Sequence, residues 1–143
     1  MTTRINKAMD IFLKALEEGT LAKGSCTKCA VGNLCGGDAS WNIAFSTVFN
    51  EQLVNEYSFH IPYVKDAVAK TDFTIHELMK IEFAFETNTE IFHLNYDRHT
   101  KEEVRADQLK GLTAVIEVMM DFDDVKFDVN KLFTEKAELI PLN

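Results

Sequence analysis

Thr74-Ile-His-Glu77-Leu-Met-Lys-Ile81-Glu-Phe83-Ala-Phe85 is the stretch that decides the fold class. Ile81, Phe83 and Phe85 alternate in the manner of a half-buried strand. Thr74 and Glu77 argue the other way, because they form a capping box: the Thr hydroxyl takes the third helical N–H and the Glu carboxylate reaches back to the cap. A strand has no use for that pair, and the segment is long for one. The spacing therefore predicts a helix.

The same box recurs at Thr100-Lys-Glu-Glu103, ahead of Val104, Leu109, Leu112, Val115, Ile116 and Met119. Near the N-terminus, Ile5, Ala8, Met9, Phe12, Leu13 and Leu16 lie on one helical face, with Thr2 or Thr3 as cap and Gly19 as a left-handed stop. Further helices are expected from Ser40 to Glu56, on Trp41, Ala44, Phe45, Val48, Phe49 and Leu53, and from Pro62 to about Lys70. A last one starts at Asp128, with a face of Val129, Leu132, Phe133, Ala137 and Ile140, and stops at Pro141. No segment reads as strands joined by a hairpin turn. The expectation is an all-α, single-domain globule of five to six helices over residues 1–143.

Composition fits that picture. A chain of 143 residues, 46% apolar, can bury a real core without disulfides, and its eleven Phe want full burial. A net charge of −8 disfavours direct nucleic-acid binding, since an acidic surface repels phosphates. It suits solubility, or a protein partner with a basic surface. No apolar run approaches the ~20 residues of a membrane span. The first residues do not read as a signal peptide, and no Asn-x-Ser/Thr acceptor occurs. Three cysteines, an odd number, do not suggest a secreted disulfide framework, so a cytoplasmic, reducing compartment is expected.

One local sequence looks special: Gly24-Ser-Cys26-Thr-Lys-Cys29-Ala-Val-Gly-Asn-Leu-Cys35-Gly-Gly. Cys26 and Cys29 have the gap that lets two thiolates face one tetrahedral zinc, with Cys35 as a third ligand and His60, His76, His93 or His99 as a fourth. A second reading is thiol redox chemistry, which requires a lowered Cys26 pKa. A third is packing alone, since a free Cys behaves as a small apolar residue. His93 and His99, near Glu102 and Glu103, could bind a metal or move protons, but a polar loop before a capped helix start is the simpler account of the same residues. Asp121, Asp123, Asp124 and Asp128 lack the glycine and closing glutamate of a calcium loop. No phosphate-loop, dinucleotide, nucleophile-elbow or kinase pattern is present.

The run Cys29-Ala-Val-Gly-Asn-Leu, after Cys26 and before Trp41, resembles small uncharacterised proteins of bacteria and their phages; Glu77-Leu-Met-Lys-Ile-Glu-Phe-Ala-Phe-Glu86 is similar to the same group. The resemblance spans about half the chain, implies a prokaryotic or phage accessory protein, and brings no catalytic residue. Two functions are thus in view. One is a non-enzymatic module that binds a protein partner, of which a phage-encoded inhibitor is one version. The other is a small zinc domain using Cys26, Cys29 and Cys35, with thiol redox chemistry third.

Overall fold

The computed structural model describes residues 3–48 and 51–142. Helix α1 spans Thr3–Glu18 and buries Ile5, Ala8, Met9, Phe12, Ala15 and Leu16, the face expected from its spacing. Thr3 lies inside the helix, Thr2 lies outside the described residues, and Gly19 ends the helix at φ +70°. A loop leads to the single turn α2, Ala30–Leu34. A 3₁₀ turn follows at Ala39–Ala44, then strands β1, Phe45–Val48, and β2, Glu51–Val54. Next come α3, Glu56–Phe59; α4, Pro62–Ala69; and α5, Ile75–Asn88. A 3₁₀ turn at His93–Arg98 precedes the long α6, Lys101–Asp123. A π-helical turn, Asn130–Thr134, runs into α7, Glu135–Glu138.

Helix makes up 68% of the structure, so the all-α class is borne out. The two capping boxes form as read: Thr74 and Glu77 exchange hydrogen bonds of 2.9 and 3.1 Å, Thr100 and Glu103 of 3.2 and 3.1 Å. Helices α5 and α6 pack along each other, and α1 contacts α2, α6 and α7. One apolar cluster runs from Ile5 to Ala137, with Phe12, Trp41, Phe85 and Phe133 among its fully buried side chains. Each such ring contributes on the order of 2 kcal/mol by leaving water. No helix among the described residues is long and apolar enough to cross a membrane.

The expected helix over 40–56 is the main correction. Its first part is a 3₁₀ turn capped by Asp38, and its second is an antiparallel hairpin pairing Phe45 with Val54 and Thr47 with Gln52. Phe49 lies outside the described residues. Residues 45–48, Phe-Ser-Thr-Val, are aromatic or β-branched apart from Ser46, and such side chains suit a pleated surface better than a helix. Trp41 also fixes the turn: its indole N–H donates to the Cys26 carbonyl at 2.9 Å, and its ring meets Phe45 edge-on at 5.2 Å. The last helix does start at Asp128, whose carboxylate accepts the Lys131 N–H at 3.3 Å, but its first turn is widened to a π turn.

Arg4 ties the ends of three helices together. Its guanidinium takes Glu77 in a two-pronged pair at 2.8 and 2.9 Å, donates to Asp123 at 3.0 Å, and lies 4.7 Å from the Phe73 ring centre. The pairing with Glu77 and then Asp123 holds the arginine above its ordinary pKa, and Arg4 in turn holds Glu77 below the usual carboxylate value. Bidentate charged pairs of this kind outweigh ordinary surface ion pairs. Arg4→Ala should therefore cost about 2–3 kcal/mol, because two half-buried carboxylates lose their cation. Urea unfolding at pH 7 reads this directly; a loss within 0.5 kcal/mol, the size of a neutral surface change, would show the network to be decorative.

Candidate functional site

The cysteine segment is an architectural clamp on one side and the wall of a pocket on the other. Cys29 caps α2, its sulfur accepting the Gly32 N–H at 3.3 Å. Ala30 and Val31 are buried. Gly32 sits against the loop it follows: a Cβ there would stand 2.5 Å from the Cys26 carbonyl oxygen and 2.6 Å from the Thr27 carbonyl carbon. The Asn33 side-chain amide then donates to the carbonyls of Thr20, Lys28 and Cys29 at 2.9–3.0 Å. Five residues of Cys-Ala-Val-Gly-Asn-Leu thus hold the loop shut by packing and backbone capping.

The three cysteines do not share one environment. Cys29 is the N-cap of α2 and Cys35 its C-cap. The five residues of helix between them place the two ~9 Å apart along the axis. Cys35 is buried, its nearby charges are Asp38 and Lys70, and burial pushes its thiol up to about 12. Cys26 and Cys29 instead face Glu82, and Cys26 also senses Glu86. Burial, then those carboxylates, raises both thiols above their ordinary value. A redox or nucleophilic cysteine needs a lowered pKa, so the local field argues against that chemistry.

The histidines are engaged elsewhere. His93 Nδ1 lies 2.8 Å from the Lys23 carbonyl, His76 pairs with Glu56 at 3.3 Å and His99 with Glu103 at 3.4 Å. His60 is an exposed residue at the end of α3. Among the described residues, no three His, Cys, Asp or Glu side chains gather closely enough to hold a metal ion.

Glu82 is the residue that sequence reasoning passed over. It is 7% exposed, on the face of α5 that also carries Ile75, Leu78 and Phe85. The Cys29 thiol and the Glu86 carboxyl group both hydrogen-bond its carboxyl group, and Oε2 makes no further hydrogen bond of ordinary geometry in the protein. Burial, and next the neighbouring Glu86, push its pKa up to about 8. Lys23 does not neutralise it: that ammonium donates to the Glu86 backbone carbonyl at 2.6 Å and lies 3.7 Å from the Glu86 carboxylate. A signal existed, since positions 75, 78, 82 and 85 follow the apolar period of α5 and an acid in that series is out of place.

Glu82 opens onto a pocket of about 460 Å³ formed by the Gly24–Cys26 loop, Trp41, Phe45, Gln52 and Glu86. Gln52, on β2, also holds a buried oxygen, Oε1, without a partner. Both oxygens are shut off from solvent, so the pocket wall itself is formed by the rest of these two side chains together with Glu86. Aromatic side chains line the same space, and ring faces attract cations. The chemistry on offer is the capture of a hydrogen-bond donor carrying positive charge. A nucleophilic role for Cys26 or Cys29 would need a lowered pKa, and both thiols are raised. No protein-family model, no curated protein and no solved structure matches the chain, so the functional reading rests on the chemistry of this pocket.

Proposed function

We propose that the protein is a non-enzymatic binding module whose pocket takes the basic side chain, Lys or Arg, of a protein partner. The observation that carries this reading is the Glu82 carboxyl group, nearly buried and set beside Glu86 in the wall of an open cavity. An ammonium or guanidinium would displace the proton that Glu82 retains and pair with the carboxylate left behind, and the acidic balance of −8 draws a basic surface towards it. An inhibitor of a basic-faced host enzyme, encoded by a phage, is one version of such a module. Three free thiols suit a reducing cytoplasm as its place of work.

Zinc is the competing occupant, because Cys26 and Cys29 border the same carboxylates. Calorimetry distinguishes the two, using acetyl-arginine amide, acetyl-lysine amide and zinc chloride in separate titrations. The basic probes should bind at one site, and Glu82→Gln should weaken them about tenfold, the value of one hydrogen bond to a charged group. Stoichiometric zinc uptake lost in Cys26→Ser, with no heat from either basic probe, would replace this reading with the metal one.

A further inference from the structure

We infer that a second pocket, between the end of α1 and the start of α6, binds a small carboxylic acid: a carboxylate on an aliphatic body of a few carbons. It shares no lining residue with the Glu82 pocket, so this inference stands apart from the basic-side-chain reading above. The cavity measures about 250 Å³. Seats for drug-sized ligands run to roughly 300–1,000 Å³, so its occupant is smaller than those. Acids outnumber bases in the chain by 23 to 15, yet among the described residues Lys101 and Arg105 line this cavity and no Asp or Glu does.

Lys101, Val104, Arg105 and Gln108 fall on one stripe of α6, which puts both cations on the same wall. Like charges four residues apart on a helix repel, and an anion seated against both removes that cost. Burial alone, with no neighbouring acid, holds the Arg105 guanidinium below its ordinary pKa. Its Nη1 donates to the carbonyls of Ala137 and Ile140 at 3.3 and 3.0 Å, and its Nη2 to that of Pro141 at 3.4 Å. A guanidinium carries five N–H groups, so the Nε–H and the second Nη2–H are left over. Those two lie parallel and form the fork that takes both oxygens of a carboxylate.

Tyr96 adds a neutral donor to the lining. Its oxygen accepts the Lys23 N–H at 3.1 Å and the Gln108 amide at 3.5 Å, which leaves the hydroxyl proton to be given away. Gln108 is itself held by the Leu21 carbonyl at 2.9 Å, so the phenol is fixed in place. The rest of the lining is mostly apolar, with Leu16, Leu21, Val104 and Leu142, and it suits an aliphatic body better than a second charge. Arg105 also borders a larger cavity, but Glu102, Glu117 and Glu138 stand there and turn an anion away.

Calorimetry at low salt, with hexanoate, hexan-1-ol and inorganic phosphate titrated separately into the whole protein, tests the site. Hexanoate should bind once per chain, at millimolar Kd or tighter, and the other two at least about tenfold more weakly, for want of the charge or of the apolar body. Lys101 is exposed, so Lys101→Gln should melt with the wild type. It should weaken hexanoate about fivefold, the upper value of a partly exposed ion pair. Lys110→Gln removes the same charge from the same helix outside this cavity, and should change binding by less than about 1.5-fold. Equal weakening by the two lysine changes would make the attraction a property of the whole surface. That result, equal binding of hexanoate and either comparison probe, or no hexanoate binding at millimolar concentration overturns the proposal.

Discussion

Gly32→Ala is expected to destabilise the protein by about 2–3 kcal/mol, although helix propensity alone argues for a gain of ~1 kcal/mol. The two effects have opposite signs, so the experiment decides between them. Gly32 sits inside α2 without a positive φ, and an alanine there would normally reduce the entropy of the unfolded chain. The new methyl, however, would meet the Cys26 oxygen at 2.5 Å, the Thr27 carbonyl carbon at 2.6 Å and the Thr27 oxygen at 2.8 Å. All three are backbone atoms, and no side-chain rotation relieves them. Either α2 or the loop must move, and movement breaks the Asn33 clamp and the Trp41 hydrogen bond together. Urea unfolding gives the magnitude, and the alkylation rate of Cys26 should rise as its loop lifts. A more stable alanine variant would mean that the loop does not lie against α2.

Glu82→Gln should do two things that seldom occur together, weakening ligand binding and strengthening the fold. The sign follows from proton linkage. Glu82 has a folded pKa raised to about 8, so between the ordinary carboxylate range near 4.3 and that value the folded state holds a proton the unfolded chain has released. Its stabilising term is full below the unfolded value and is lost as pH climbs through about 8. Glutamine keeps the shape and an acceptor for the Cys29 thiol but has no charge to bury. Between pH 5 and 9 the wild type should lose about 4 kcal/mol that the variant retains. The other groups around Glu82, namely Glu86, Lys23, Cys26 and Cys29, are the same in both proteins. Asp38, Glu77 and Glu103 have lowered values, so their contributions fade at acid pH, in a different window. Equal pH slopes for the two proteins in urea would sink the assignment. Gain of stability with loss of binding is the mark of a residue kept for function.

The helical class was legible because capping boxes are local: Thr74 and Glu77 find each other whatever the rest of the chain does. The alternation of Ile81, Phe83 and Phe85 was resolved the same way, and Phe83 then proved to be the exposed member of the three. The hairpin was not legible, because Trp41, Ala44, Phe45 and Val48 mimic helical spacing and no Asn-Gly or Gly-containing turn marks residues 49–50. Among the site residues, the pairing of Cys26 with Cys29 could be read from their gap. Cys35 lies at the far end of α2 from Cys29, a separation that the sequence gap alone does not reveal. Glu82 stands 53 residues beyond Cys29 in the sequence, and only tertiary packing brings the two together.

The Arg4 network has a consequence for how the chain is made. Arg4 emerges first, and its carboxylate partners follow 73 and 119 residues later. At a synthesis rate of ~5–20 residues per second, Asp123 is added about 6–24 s after Arg4. Until then Ile5, Phe12 and Leu16 have no α6 to cover them, and the stripe that organises the finished core is an adhesive surface on the ribosome. Closure of the α1 stripe thus comes late in synthesis, with the last long helix.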